Sequence, residues 1–128
     1  DVVELMEWAP REAAVEAQRQ AQALLIFNRQ GEDPGVYTGK VFEYLAARRP
    51  ILVVGGTACL MTGLVESTGA GVWAVDQAAG ERQLEAWWRE LEREGTLRWR
   101  GDPARVEPYS MLRMARDLAA VLDAACGG

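Results

Sequence analysis

The sequence predicts an α/β domain, a Rossmann-like parallel sheet flanked by helices, and three observations carry that expectation. Residues 51–54 (Ile-Leu-Val-Val) form an apolar, largely β-branched run that empties into Gly55-Gly56, as a strand covered on both faces reads. A helix-forming stretch over residues 39–48 feeds that run and is stopped by Pro50. Along the rest of the chain, short apolar runs alternate with amphipathic stretches, the pattern of βα units.

The first run is residues 2–6, apolar except for Glu4 and read as a strand; Trp8-Ala9-Pro10 breaks it. Pro10 suits the first turn of a helix, and residues 11–22, rich in Ala and Gln, continue as an amphipathic helix. Residues 23–27 are apolar and of strand length. Residues 28–35 (Asn-Arg-Gln-Gly-Glu-Asp-Pro-Gly) form a polar loop rich in turn residues. After the 39–48 helix and the 51–54 strand, Thr57 is the expected N-cap of a helix over residues 58–67. A strand at 72–75, a loop at 76–80, a helix at 81–94, an irregular stretch at 95–103 and a terminal helix at 108–125 complete the reading.

Composition bounds the function classes. The 128 residues suit one domain, 1–128, large enough for a real core. A net charge of −5 argues against a nucleic-acid or anionic-membrane surface, and no apolar run approaches the roughly 18 residues of a membrane span. A cytoplasmic location is therefore expected. The chain has no histidine, which removes the commonest general base and the commonest metal ligand. Cys59 and Cys126 lack metal-ligand or thioredoxin spacing and read as reduced thiols, a disulfide between them being left open. The sequence starts at Asp1 directly on a strand-like run, so a fragment of a longer protein is expected.

In sheets of this kind ligands sit beyond the carboxyl ends of the strands, against helix N-termini. The 39–48 helix is thus the first candidate. Val41, Tyr44 and Leu45 make its buried stripe, while Lys40, Glu43 and Ala47 fall on the opposite side. Lys40 and Glu43 read in two ways. They form a surface ion pair worth a few tenths of a kcal/mol, or Lys40 and the amides of Thr38 to Val41 face a phosphate. In the second reading Glu43 accepts hydrogen bonds from a diol such as ribose. Gly55-Gly56-Thr57 lacks the spacing of a dinucleotide or P-loop fingerprint. Trp8 is expected to pack at the sheet edge, with stacking on a nucleobase as the alternative. Trp87, Trp88 and Trp99 read as packing residues, one of the adjacent pair pointing away from the core. Arg48, Arg49, Arg98 and Arg100 read as solvated charges.

The stretch Thr38-Gly39-Lys40-Val41-Phe42-Glu43-Tyr44-Leu45-Ala46-Ala47-Arg48-Arg49-Pro50-Ile51-Leu52 resembles the donor-binding segment of GT-B glycosyltransferases of the group 1 (GT4-like) type. Leu64-Val65-Glu66-Ser67-Thr68-Gly69-Ala70-Gly71-Val72 and Val106-Glu107-Pro108-Tyr109-Ser110 are similar in the same order. The resemblance covers roughly residues 2–122. It implies the C-terminal half of a GT-B fold, apparently truncated at its N-terminus, with a nucleoside-diphosphate sugar as substrate and no obligatory metal or other cofactor. It assigns the ribose hydroxyls to Glu43, and the diphosphate and transferred sugar to Gly35, Val36, Tyr37, Thr38, Gly39, Lys40 and Val41. The family's Glu-x7-Glu pair would begin at Gly35, so its first carboxylate is absent here; Glu32 and Asp33 are the nearby substitutes. Glu7 stands where the family has a Gly beside the nucleobase.

The function implied is transfer of a sugar to an acceptor bound by a missing N-terminal domain of the same protein. That domain would also hold any catalytic base, so catalytic residues stay unassigned and the isolated chain is expected to be inactive. Two other classes compete: a non-catalytic Rossmann-like interaction module, and a related sugar-nucleotide epimerase. An edge strand at residues 2–6 without its usual neighbours is expected to pair beside residues 23–27, or with another chain as a dimer through the exposed sheet edge.

Overall fold

The computed structural model describes residues 3–29 and 35–127. The chain is an α/β fold whose described residues form a three-stranded parallel sheet with helices on both faces. Helix α1 (Arg11–Gln20) leads to strand β1 (Leu24–Phe27), and helix α2 (Gly39–Ala47) links β1 to β2 (Ile51–Val54). Helix α3 (Leu60–Ser67) then links β2 to β3 (Gly71–Ala74), and α4 (Gln77–Glu94) follows. A short α5 (Pro103–Val106), a 3-10 turn (Glu107–Tyr109) and α6 (Met111–Cys126) close the chain.

The strands lie in sequence order, β1-β2-β3, with Leu24 beside Ile51 and Ile51 beside Gly71. Alternation along each strand divides the sheet into two faces. On one face Ile26, Ile51 and Val53 meet Val41 and Leu45 of α2 and Met61, Leu64 and Val65 of α3 in the main core. On the other, Leu52 and Ala74 pack on Trp87 of α4 and on Leu97. β2 is therefore buried on both sides, which explains why its sequence is continuously apolar.

Local chemistry fixes the element ends. Arg48 takes the left-handed conformation after α2, its amide donates to the Leu45 carbonyl, and Pro50 follows. Cys59, rather than Thr57, caps α3. The Thr62 hydroxyl accepts from the Cys59 amide at 3.0 Å and donates to the Cys59 carbonyl at 2.9 Å. Asp76 accepts from the Ala79 amide at 2.7 Å, so residues 77–80 begin α4 instead of forming the expected loop. Gly80 is buried in the first turn of α4 and faces the Ala74 methyl. Pro108 falls inside the 3-10 turn, and the terminal helix starts afresh at Met111, where Ser110 accepts from the Arg113 amide at 3.1 Å.

The expected strand at residues 2–6 is not formed. Residues 3–6 have no regular structure and are exposed, Leu5 to 92%, and Val2 lies outside the described residues. They do not pair beside β1. A short apolar run has no ladder of its own, and without a partner strand its backbone groups are left to water. Trp8 is likewise 89% exposed and does not pack at the sheet edge. Of the adjacent tryptophans, Trp87 is buried and Trp88 is 61% exposed. Cys59 and Cys126 are both free thiols.

Candidate functional site

The carboxyl edge of the sheet is built by three chain reversals. After β1, the Asn28 amide donates to the Gly55 carbonyl at 3.3 Å and to the Thr57 carbonyl at 2.9 Å, tying the β1 exit to the β2 exit. Trp73 of β3 donates its indole N–H to the same Gly55 carbonyl at 3.0 Å. Gly56 has φ +70, and a Cβ there would run into the Asn28 side chain and carbonyl. The glycine pair thus serves a tight turn locked by Asn28, which accounts for it without a ligand.

Helix α2 starts at this same edge. Gly35 sits in an exposed turn and Val36 is exposed. Tyr37 is half-buried, edge-on to Phe42 at 5.4 Å between ring centres. Thr38 occupies the N-cap position with extended backbone, but its hydroxyl donates to the Met61 sulfur at 3.7 Å rather than capping the helix. Gly39 opens the helix, and Lys40 is exposed and makes no ion pair with any described residue. Val41 points into the core, and its amide donates to the Thr38 carbonyl at 3.1 Å. The helix start therefore presents Gly39 and Lys40 outward while Val41 anchors it. Glu32 and Asp33 lie outside the described residues.

Glu43 lies in a cleft of about 480 Å³ between α1, α2 and the start of α6. Gly39, Phe42, Val15, Tyr109 and Ser110 are among its walls. The carboxylate is not paired with Lys40. Gln18 donates to its Oε2 at 3.4 Å, and the Arg11 guanidinium stands 4.0 Å from Oε1. Both contacts are long for hydrogen bonds to a carboxylate. The Glu43 side chain is 41% exposed, so a group entering the cleft can reach its oxygens. Tyr44 beside it has its phenol pushed above the ordinary value, first by burial and then by the Glu43 charge. Tyr109 stacks on Phe42 at 6.5 Å and carries the cleft wall into α6.

Of the residues singled out from sequence, the structure brings Gly39 and Glu43 to one cleft and turns Val41 away from it. Sequence reading missed Arg11, Val15 and Gln18, the face of α1 that meets Glu43. Their spacing of four and three residues was the available signal, since such positions share one side of a helix. Arg48 and Arg100 were also more engaged than expected. Arg48 lies 5.8 Å over the Trp99 ring, and Arg100 pairs with Glu90 at 3.0 Å.

A second concavity is apolar. On the α4 face of the sheet, Leu25 and Phe27 of β1 remain exposed, to 45% and 70%. With Leu52, Val54, Leu84 and Trp87 they line an open groove of about 470 Å³. Sequence reading did not anticipate it, because it arises from α4 covering β2 and β3 but not β1.

Among the described residues no group of three or more His, Cys, Asp or Glu is arranged to hold a metal ion. None of their helices is long and apolar enough to cross a membrane. Compared with known proteins, the chain matches no family model, no curated protein and no solved structure.

Proposed function

We propose that this chain is the donor-binding domain of a glycosyltransferase of the GT-B, group 1 type, taking a nucleoside-diphosphate sugar in the Glu43 cleft. The observation that carries the reading is the state of Glu43. It is a half-exposed carboxylate whose contacts among the described residues, to Gln18 and Arg11, are long, one helical turn from the outward-facing start of α2. In this reading Glu43 accepts both ribose hydroxyls. Lys40 and the amides of Gly39 and Lys40 meet the diphosphate, aided by the positive end of the helix. Gly35, Val36, Tyr37 and Thr38 shape the approach to the sugar. The group that orders the sugar hydroxyls is open, because Gly35 has no side chain to offer. Leaving-group charge is stabilised by positioning and electrostatics. Acceptor and any general base belong to a further N-terminal domain of the same protein, so this chain alone transfers nothing.

The test is calorimetric titration with UDP, GDP and their 2′-deoxy forms on the wild type and Glu43→Ala. Charge-assisted hydrogen bonds of this kind are worth about 1.5–3 kcal/mol, so Glu43→Ala weakens binding about 10- to 100-fold. The deoxy ligands bind the wild type more weakly but do not discriminate in the variant. Binding indifferent to both the hydroxyl and Glu43 removes the donor-site reading. A second reading, an interaction module without donor affinity, is favoured by the exposed apolar groove and by the bare helix α6.

A further inference from the structure

Resting on the donor-site reading of the Glu43 cleft, we propose that Arg11 makes this cleft select a nucleoside diphosphate over the bare nucleoside. It does so by passing from Glu43 to the diphosphate as the ligand enters. Both oxygens of Glu43 face donors from α1: Gln18 reaches Oε2 at 3.4 Å, and Arg11 stands 4.0 Å from Oε1. A ribose diol brings one hydroxyl for each of these oxygens and takes the two places. Neither contact is as short as a close charge-assisted bond, so little opposes the exchange.

The direction of that passage follows from how α1 lies on α2. Beyond the end of α2, Arg49 donates through Nε to the carbonyl of Arg19, in the last turn of α1, at 2.6 Å. The two helices therefore end together and start together, with Arg11 the first residue of one and Gly39 the first of the other. Arg11 and Gly39 line the same cleft. Arg11 thus meets Glu43 from the side of the helix starts, where the diphosphate is placed, and Gln18 meets it from the far side. Gly39 lies one turn from Glu43, about 5.4 Å of rise. The Arg11 side chain is 82% exposed, so its long stem covers that distance without disturbing any packing.

Charge decides which ligand gains from the move. With a diol on Glu43, a neutral nucleoside leaves Arg11 without its carboxylate. A diphosphate gives it a new anion, and a guanidinium grips phosphate oxygens through paired N–H donors. Lys40 at the start of α2 is the other cation there, and it makes no ion pair with any described residue. A diphosphate carries more charge than one ammonium balances. Arg11 supplies the second cation from the facing helix, and adds affinity only where the diphosphate is present.

Amide chemical shifts of the isotope-labelled chain, which read Kd into the millimolar range, test this with UDP, GDP, uridine and guanosine. The proteins compared are the wild type, Arg11→Gln, Arg11→Lys and Glu43→Ala. Arg11 is exposed and opens its helix, so its replacement removes no core, and the same spectra check the fold. The expected result for Arg11→Gln is diphosphate binding about 10-fold weaker, with binding of the matching nucleoside unchanged. Arg11→Lys keeps the charge and lies between Arg11→Gln and the wild type. Glu43→Ala weakens both ligands. Should Arg11→Gln weaken nucleoside and diphosphate equally, Arg11 only holds Glu43 in place and the proposal is overturned. Diphosphate binding unchanged in Arg11→Gln overturns it too, while its loss in Glu43→Ala leaves the donor site standing. A wild type that binds none of the four ligands removes the donor-site reading and this proposal together.

Discussion

Thr62 shows how one side chain can hold a turn together. It is 2% exposed and both accepts from and donates to the Cys59 backbone. Thr62→Val keeps the shape but takes the acceptor from the half-buried Cys59 amide, while the Cys59 carbonyl keeps the Gly63 amide at 3.1 Å, and is expected to cost about 1–3 kcal/mol in urea unfolding. Gly56→Ala meets both a left-handed backbone and the Asn28 side chain; a loss of about 1–3 kcal/mol is expected by the same measurement. Glu90 is buried between α4 and the chain after it. The Arg98 amide donates to its carboxylate at 3.0 Å and Arg100 pairs with it, and together they hold its pKa below the usual value against the opposing pull of burial. Because the folded value is depressed, its contribution is present above the ordinary carboxylate range near ~4.3 and is lost as pH falls through the folded value. The melting temperature of Glu90→Gln should therefore lie below that of the wild type at pH 7. The gap should close in acid, and a constant gap would show that packing rather than charge is responsible.

At the level of elements, the parts legible in the sequence are those whose boundaries are set locally. β2 was plain because Pro50 and Gly55 bracket a run that is apolar on both faces. α2 was plain because Val41 and Leu45 share a stripe and Pro50 lies just beyond its end. The readings that failed depended on something outside the segment. Residues 3–6 are apolar apart from Glu4, as a strand can be, but find no neighbour. Residues 77–80, expected as part of a loop, open α4 instead. The Asp76 cap was the overlooked signal, and Asp76→Ala should cost about 1 kcal/mol in thermal or urea unfolding. Cys59 is a weak cap by residue type, so Cys59→Asp should stabilise α3 by a few tenths of a kcal/mol up to about 1. The candidate site was half legible. Glu43 was singled out and lines a cleft, but its surroundings come from α1 and from Tyr109, distant in sequence and joined to it only by folding.

For the whole molecule, the strand order carries a consequence of its own. Every ladder closes between a strand and the one made just before it, β2 on β1 and β3 on β2. Among the described residues no strand must wait for a later segment to be inserted between its neighbours. The sheet can therefore assemble in the direction of synthesis, each βα unit settling on a finished edge as it leaves the ribosome.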